Sequence, residues 1–283
     1  MNKNTLRLVL PQWQGGMNQN YILGAQLLAA IVPPSMQAET ITVPTSVAAV
    51  GNQQVDAQET LLTQMKLTTD ILATKQPAKV ITLGGDCSVS EAPFDYLHGQ
   101  YPTDFGVIWL DAHPDISDPQ TSSHVHEMVV ANLLQQGAPA FNEQVQHPLQ
   151  PEQIFFAGLQ YQDLRPMDAA VDTLKIAYAT PQQLESSDLI GDWLKQQQIK
   201  HLAIHWDLDV LSPDSYRSIL PAQPGLDQSQ FCAAIGSMTL TSVIQLLTAI
   251  SAQTEVVGLT IAEHMPWDAI NLRNGLARLP IFE

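Results

Sequence analysis

Val107-Ile-Trp-Leu-Asp-Ala-His-Pro-Asp115 is an apolar run that stops abruptly in two carboxylates and an imidazole. A continuous apolar run of this length, bounded by turn signals, has the pattern of a strand buried on both faces. Side chains alternate along a strand, so Asp111, His113 and Asp115 project to one side if extended geometry persists past Pro114. Three candidate ligands then converge where the strand ends.

The segments around this stretch repeat its design. Val80-Ile-Thr-Leu83 runs into the tight turn Gly84-Gly85-Asp86-Cys87-Ser88 and then a helical segment around Pro93 to Leu97. His201-Leu-Ala-Ile-His-Trp-Asp-Leu-Asp209 is again apolar and then acidic, and Val256 to Ile261 ends at Glu263. Leu6 to Leu10 and Ile154 to Gly158 complete the expected strands; Gly15-Gly16 marks a loop able to approach a ligand closely. Helices are expected over roughly 20–30, 55–71, 129–134, 182–198, 228–237 and 242–253. Strand, then polar residue, then helix is the grammar of a parallel sheet. The expected fold is α/β, a three-layer, doubly wound, mainly parallel sheet forming one domain over 1–283. Ligands in such folds sit outside the carboxyl ends of the strands, near a topological switch point.

Composition excludes some functions without choosing one. The formal net charge is −16, from 28 acidic and 12 basic residues, and no Lys/Arg cluster could follow a phosphate backbone, so nucleic acid is not an expected partner. Cys87 and Cys232 have no paired spacing, which fits a reducing compartment. Residues Met1 to Gln12 carry no apolar stretch long enough for a signal peptide or a membrane span. These features together describe a cytoplasmic protein with no membrane partner.

Asp207 and Asp209 are two apart on their expected strand and therefore share a face, as do Asp111, His113 and Asp115. Carboxylates gathered on neighbouring strand ends repel one another by several kcal/mol at ~4 Å in a low-dielectric site. A divalent cation, or two, removes that conflict. Asp111 and Asp207 could each touch both ions of a pair roughly 3.5–4 Å apart, and such a pair converts bound water to hydroxide near neutral pH. The oxygen-rich donor set favours Mn²⁺ over Zn²⁺ by hardness, although a lone Zn²⁺ also suits an Asp/His/Asp set.

With these motifs in order, the chain resembles the arginase, agmatinase and formiminoglutamase (ureohydrolase) superfamily from Gly84 to Pro266. The family pattern GGDHS stands here as GGDCS, DAHxD as Asp111 to Asp115, His-Gly-x as His126-Glu-Met128, DxD as Asp207 to Asp209, and the late Glu-x-x-Pro as Glu263 to Pro266. The resemblance implies an arginase-like fold and hydrolysis of a linear guanidine or amidine, with urea as a product from a guanidine. It implies Asp111, His113, Asp115, Asp207 and Asp209 as ligands to two Mn²⁺ ions, with Asp115 also holding the bridging hydroxide. His126 resembles the family's proton shuttle, Glu263 the acid that pairs with the guanidinium, and Asp163 a contact to the substrate's α-amino group. The loop from Ile116 to Val125 would contact the far end of the substrate, through residues such as Ser123 and His124. A homo-oligomer, trimeric or hexameric, is the family's usual assembly.

Two departures bear on the metals. Cys87 stands where the family supplies a histidine ligand; a thiolate there tilts the position towards Zn²⁺, Fe²⁺ or Co²⁺, whereas an inert thiol leaves the second ion weak or absent. His205 stands where the family prefers Ser or Thr and shares the strand parity of Asp207. It either supplies the imidazole lost at Cys87 or packs against Trp206 or a neighbouring helix. Two other readings follow from these departures: a single-metal amide hydrolase resembling the deacetylases, and a non-catalytic family member. Retention of His126 and Glu263 argues against the latter. Glu127, beside the histidine that resembles the shuttle, places an acid near the mouth, where it either recruits a cationic substrate or is simply solvated.

Overall fold

The computed structural model describes residues 4–279 and residue 281. Eight strands, β1 (Thr5–Leu10), β2 (Ala38–Thr42), β3 (Lys79–Gly84), β4 (Phe105–Leu110), β5 (Ile154–Ala157), β6 (Ala177–Ala179), β7 (His201–Asp207) and β8 (Glu255–Ala262), form one sheet. Their order is β2-β1-β3-β8-β7-β4-β5-β6, and every pairing is parallel.

The strand period sorts side chains into two cores. Phe105, Val107 and Trp109 join Leu61, Phe94 and Val129 on one face, while Ile108 and Leu110 join Leu28, Trp193 and Val243 on the other. Helices Gln58–Lys75, Glu91–Gln100 and Val129–Leu133 cover the first face; Asn20–Ile31, Leu189–Gln196 and Leu240–Ser251 cover the second. All six residues of β4 are therefore buried, which is why its sequence is continuously apolar rather than alternating.

Topology positions the site. The chain leaves β3 and returns as β4 with two places open between them, and β7 and β8 later fill those places. The carboxyl ends of β3, β8, β7 and β4 become neighbours, and these are the four strands that end in polar residues.

The structure differs from the sequence reading in several places. Extended geometry stops at Leu110, and Asp115 has a left-handed φ of 45°, so strand alternation is not what gathers its motif. Asp209 likewise lies in a 3₁₀ turn after β7, its N–H bound to the Asp207 carboxylate at 2.7 Å. The expected helix over 182–198 is two helices, the second capped by Asp188, which accepts from Gly191 N at 3.0 Å. Only a 3₁₀ turn, Gln228–Gln230, forms in the expected helix over 228–237. That segment packs instead on the end of β7: a Cβ on Gly236 would stand 2.0 Å from the Asp209 carbonyl oxygen, and the Ala234 carbonyl serves His113. The edge strands β2 and β6 and the helix Trp267–Leu276 had no apolar run or clear period to signal them. Among the described residues, no helix is long and apolar enough to cross a membrane.

One buried acid has no catalytic position. Glu91 is 1% exposed; Asn132 donates to its Oε2 at 3.2 Å, and its Oε1 has no partner. Burial pushes its pKa up to about 8, despite the Asn132 hydrogen bond. In an unfolded chain the group ionises near ~4.3. Below that pH both states hold the proton; above it only the unfolded state releases it, until the folded group titrates, so stability falls as pH rises through this window. Glu91→Gln should remove this slope. In urea unfolding between about pH 5 and pH 7.5, wild type should lose up to about 1.4 kcal/mol per pH unit more than the variant; equal slopes would show that Glu91 ionises as readily folded as unfolded.

Candidate metal centre

The end of β4 supplies Asp111 and His113. Asp111 Oδ1 accepts from His113 N at 2.7 Å and Oδ2 from Trp109 Nε1 at 3.0 Å, so the carboxylate is fixed from both sides. His113 Nδ1 lies 3.4 Å from Asp111 Oδ1 and 3.3 Å from Asp209 Oδ2. Its Nε2 is 3.1 Å from the Ala234 carbonyl oxygen. A carbonyl only accepts, so Nε2 carries a hydrogen and Nδ1 is the nitrogen presented to the carboxylates. A ring anchored through one nitrogen and aimed with the other is how metal-binding histidines are held.

The end of β7 supplies Asp207, Asp209 and His205. Cys87 Sγ, in the turn after β3, donates to Asp207 Oδ2 at 2.9 Å. His205 pairs across the sheet with Trp109 and stacks on it, ring centroids 3.7 Å apart. The ring does pack against a tryptophan, on β4 rather than at Trp206, and it also faces the cluster. Its Nδ1 meets Ser90 Oγ at 2.7 Å, while Nε2 has no hydrogen-bond partner and lies 3.9 Å from Asp111 Oδ2.

Glu263, after β8, accepts from the Tyr21 hydroxyl through Oε2 at 2.7 Å, and its Oε1 lies 3.5 Å from Cys87 Sγ. Asp115 and Glu263 both have left-handed φ, 45° and 62°, a conformation costing a non-glycine residue on the order of 1–2 kcal/mol. Both acids are thus held against backbone preference. His126 is positioned through Gly15. Gly15 N donates to Asp86 Oδ2 at 2.9 Å, and its carbonyl oxygen accepts from His126 Nδ1 at 2.8 Å. A Cβ on Gly15 would sit 2.4 Å from Asp86 Oδ1, so the loop approaches this closely only as glycine. Nε2 is left as the His126 nitrogen free to exchange a proton.

Electrostatics mark the cluster as incomplete by itself. Asp111, Asp115, Asp207, Asp209 and Glu263 are each at most 6% exposed. Burial and Asp209 push Asp111 up to about 6. Burial and then Asp209 also push Asp207 far above the carboxylate range, while burial and then Asp111 do the same to Asp115. Glu263 is pushed up to about 8 by burial and then Asp209. Burial opposes ionisation of Asp209, but His113 outweighs it and holds that acid low. His113 is raised in turn: burial pulls it down, and Asp209 and Asp111 overcome that. Burial takes His205 down to about 3, so its ring is neutral. Cys87 is raised by burial, Asp207 and Glu263.

The donors present fit a divalent cation. Three groups each have one ligand atom per residue within 4.8 Å of the others: Cys87, Asp111, His205 and Asp207; Asp111, His113 and Asp209; Asp207, Asp209 and Glu263. Buried Asp115 Oδ2, Asp209 Oδ1 and His205 Nε2 lack partners, and buried polar atoms are rarely left so without an ion or water to meet them. Asp115 belongs to none of the three groups, although it lines the same cavity.

That cavity, about 250 Å³, is lined by Cys87, His113, Asp115, Asp207, Asp209 and Glu263 at its acidic end, and by His124, His126 and Glu127 from the loop after β4. His124 Nε2 lies 3.5 Å from Asp56 Oδ2. Two sequence-selected residues are not brought there. Ser123 is exposed and donates to Asp56 at 2.7 Å; Asp163 is exposed in the turn Tyr161–Asp163; neither lines the cavity. From the same stretch as Asp163 it is Arg165 that reaches it, donating to Glu127 Oε1 at 2.7 Å and to Asp168 Oδ2 at 3.2 Å. Glu127 is therefore paired rather than a free acidic lure. Tyr21 and Arg165 escaped the sequence reading; Arg165 had a faint signal, being one of only 12 basic residues and next to the proline of a turn.

The family model of the arginases matches residues 30–271. The arginase of Plasmodium berghei is 28% identical over 199 residues, covering 66% of this chain and 52% of the relative; the chain spans about half the length of the curated relatives it matches. The structure of Entamoeba histolytica arginase, in complex with L-ornithine, superposes with a TM-score of 0.78 at 14% identity, covering 93% of this chain and 91% of that one. Formimidoylglutamase from Bacillus subtilis does so with a TM-score of 0.66 at 15% identity, over 93% and 79%. These structural likenesses establish the fold.

A cation that relieves the repulsion should stabilise the protein. With Zn²⁺, Co²⁺ or Mn²⁺ at about 100 times its dissociation constant, stabilisation is about 2.7 kcal/mol, or about 5–10 °C in melting temperature for a domain of this size. A chelator should reverse it. Asp207→Asn should melt higher than wild type in chelator at neutral pH, because the cost of keeping this buried acid protonated in the folded state is gone, and should lose most of the metal response. Identical metal shifts in the two proteins, read by differential scanning calorimetry, would separate Asp207 from the ion.

Proposed function

Because this chain belongs to the arginase family, we propose that it is a metal-dependent hydrolase that cleaves a C–N bond of a linear guanidine or amidine, releasing urea from a guanidine. The observation that carries this reading is the convergence of Glu263 and His126 on the cavity that holds the overlapping donor groups. A purely structural metal site needs neither an inward carboxylate nor a histidine with a free nitrogen. In this reading Asp111, His113, Asp207 and Asp209 hold the ions, with Cys87 and His205 beside them and Asp115 facing the attacking water. Divalent ions there supply Lewis-acid polarisation and activation of water for attack on the amidine carbon.

The chain's own residues do the rest. Tyr21 holds one oxygen of Glu263, leaving the other towards the cavity for a guanidinium N–H; a bound cation would also favour the ionised form of this acid. Water delivers oxygen to the guanidinium carbon, the bond from that carbon to the alkyl nitrogen breaks, and His126 Nε2 carries a proton to the departing amine. The cavity is slightly below the usual size range of ligand pockets, which suits a small linear substrate. Its basic side chain, Arg165, is already shared between Glu127 and Asp168, so a carboxylate tail would have to compete for it. That favours a neutral or cationic tail, as in agmatine. One domain over 1–283, Mn²⁺ as a working ion, a cytoplasmic setting and a homo-oligomer are consistent with this family and belong to the same proposal.

Urea release after Mn²⁺ loading, from agmatine, arginine and 4-guanidinobutyrate, tests the proposal. Agmatine should be the best of the three. His126→Ala should lower kcat by about 100-fold with little change in KM, whereas Glu263→Gln should raise KM as well as lower kcat. No urea from any guanidine, with formamide released from a formimino compound instead, would move the substrate from guanidines to amidines.

A further inference from the structure

The two donor groups that share Asp111 differ in kind. One offers Asp111, His113 and Asp209, two carboxylates and an imidazole; the other offers Cys87, His205, Asp111 and Asp207, a sulfur, an imidazole and two carboxylates. The geometry points to the second as a thiolate–imidazole site for a softer divalent ion, Zn²⁺, Fe²⁺ or Co²⁺, beside a harder site that accepts Mn²⁺. This rests on the cluster being the metal site of the proposed hydrolase, and it assigns ligand roles to His205 and Cys87 that follow from this chain's own residues.

Three observations carry it. His205 Nε2 is wholly buried, unpartnered and 3.9 Å from Asp111 Oδ2, while Nδ1 is tied to Ser90 and the ring is clamped on Trp109. A buried nitrogen with no partner is destabilising, and here the ring is fixed by two contacts in the orientation that incurs that cost. Cys87 Sγ is 2.9 Å from Asp207 Oδ2, and the donor atoms of all four residues lie within 4.8 Å of one another. Bonds of about 2.0–2.3 Å to N, O and S in a tetrahedral site set donors roughly 3.3–3.8 Å apart, a spacing these separations bracket. Finally, four protein donors including a thiolate form the set that selects Zn²⁺ and its softer neighbours over Mn²⁺. On binding, the thiol proton that now points to Asp207 leaves to solvent and sulfur takes its place at the ion.

Cobalt is the probe, because a thiolate ligand gives it a near-ultraviolet charge-transfer band independent of turnover. Metal-free full-length protein titrated with Co²⁺ should develop that band with the first equivalent, and Cys87→Ser should abolish it while still binding cobalt. His205→Asn should weaken cobalt binding by 10-fold or more. Loaded with equimolar Zn²⁺ and Mn²⁺, wild type should retain a higher ratio of zinc to manganese than Cys87→Ser. X-ray absorption on the zinc-loaded wild type, which should show one sulfur scatterer, gives the same answer if a variant does not fold. A wild-type spectrum without the band, a band that survives in Cys87→Ser, or unchanged affinity in His205→Asn would overturn the inference. A sulfur band without urea release would keep this site and refute the ureohydrolase reading; urea release with Mn²⁺ and no sulfur band would do the reverse.

Discussion

Repulsion among five buried acids at the ends of neighbouring strands is the constraint on which the rest of this structure depends. Asp111, Asp115, Asp207, Asp209 and Glu263 are gathered where water is largely excluded. Without positive charge, burial and mutual repulsion push four of them above the ordinary carboxylate range, and only Asp209, beside His113, stays low. A fold that maintains such a cluster gives up stability at that point. The two cores on either side of the sheet offset the loss, each fully buried aliphatic or aromatic side chain contributing about 1.5–3 kcal/mol. Stability and function are therefore divided between the body of the sheet and its carboxyl edge.

The supports around the acids show what that edge is built to keep in place. Asp111 is fixed by Trp109 and by the His113 amide, Asp207 by the Asp209 amide, and Glu263 by Tyr21. Each support donates a hydrogen bond to one carboxylate oxygen and leaves the residue's remaining acceptor capacity for something else. His113 and His205 follow the same rule with one ring nitrogen anchored and one aimed. Gly15 extends it to His126: by touching both Asp86 and His126 it ties the position of that histidine to the turn that carries Cys87.

Much of this was legible in the sequence, for a physical reason. Central parallel strands covered on both faces must be apolar throughout, so β4 and β7 announce themselves, and the acids that interrupt them stand out against that background. The means of convergence was less legible. Alternation along an extended strand would bring Asp111, His113 and Asp115 to one side, yet the strand ends at Leu110 and a left-handed backbone conformation sets Asp115. Residues whose roles depend on chain crossings were invisible. Tyr21 meets Glu263 across 242 positions and Arg165 meets Glu127 across 38, and no local pattern encodes either. Ser123 and Asp163 lie in the right stretches of sequence, but both face solvent, because the loop turns the Ser123 hydroxyl towards Asp56 and the later segment presents Arg165 instead.

The exchange at Cys87 and His205 is best understood as one change. Had Cys87 alone replaced a histidine, the site would have lost an imidazole and kept a small buried thiol, a tolerable degradation. Had His205 alone appeared on β7, a ring without a partner for Nε2 would be buried among carboxylates with no gain, and a serine or threonine there would be less costly. Together the two changes keep an imidazole in the cluster while moving its origin from the turn after β3 to β7, two places along the sheet. Ser90, three residues beyond Cys87, supplies the hydroxyl that orients the transplanted ring, so one short turn carries both the sulfur and the anchor for the nitrogen. With Nδ1 held by that hydroxyl, the unpartnered Nε2 is kept pointing at the carboxylates, as an imidazole aimed at a shared ion would have to be.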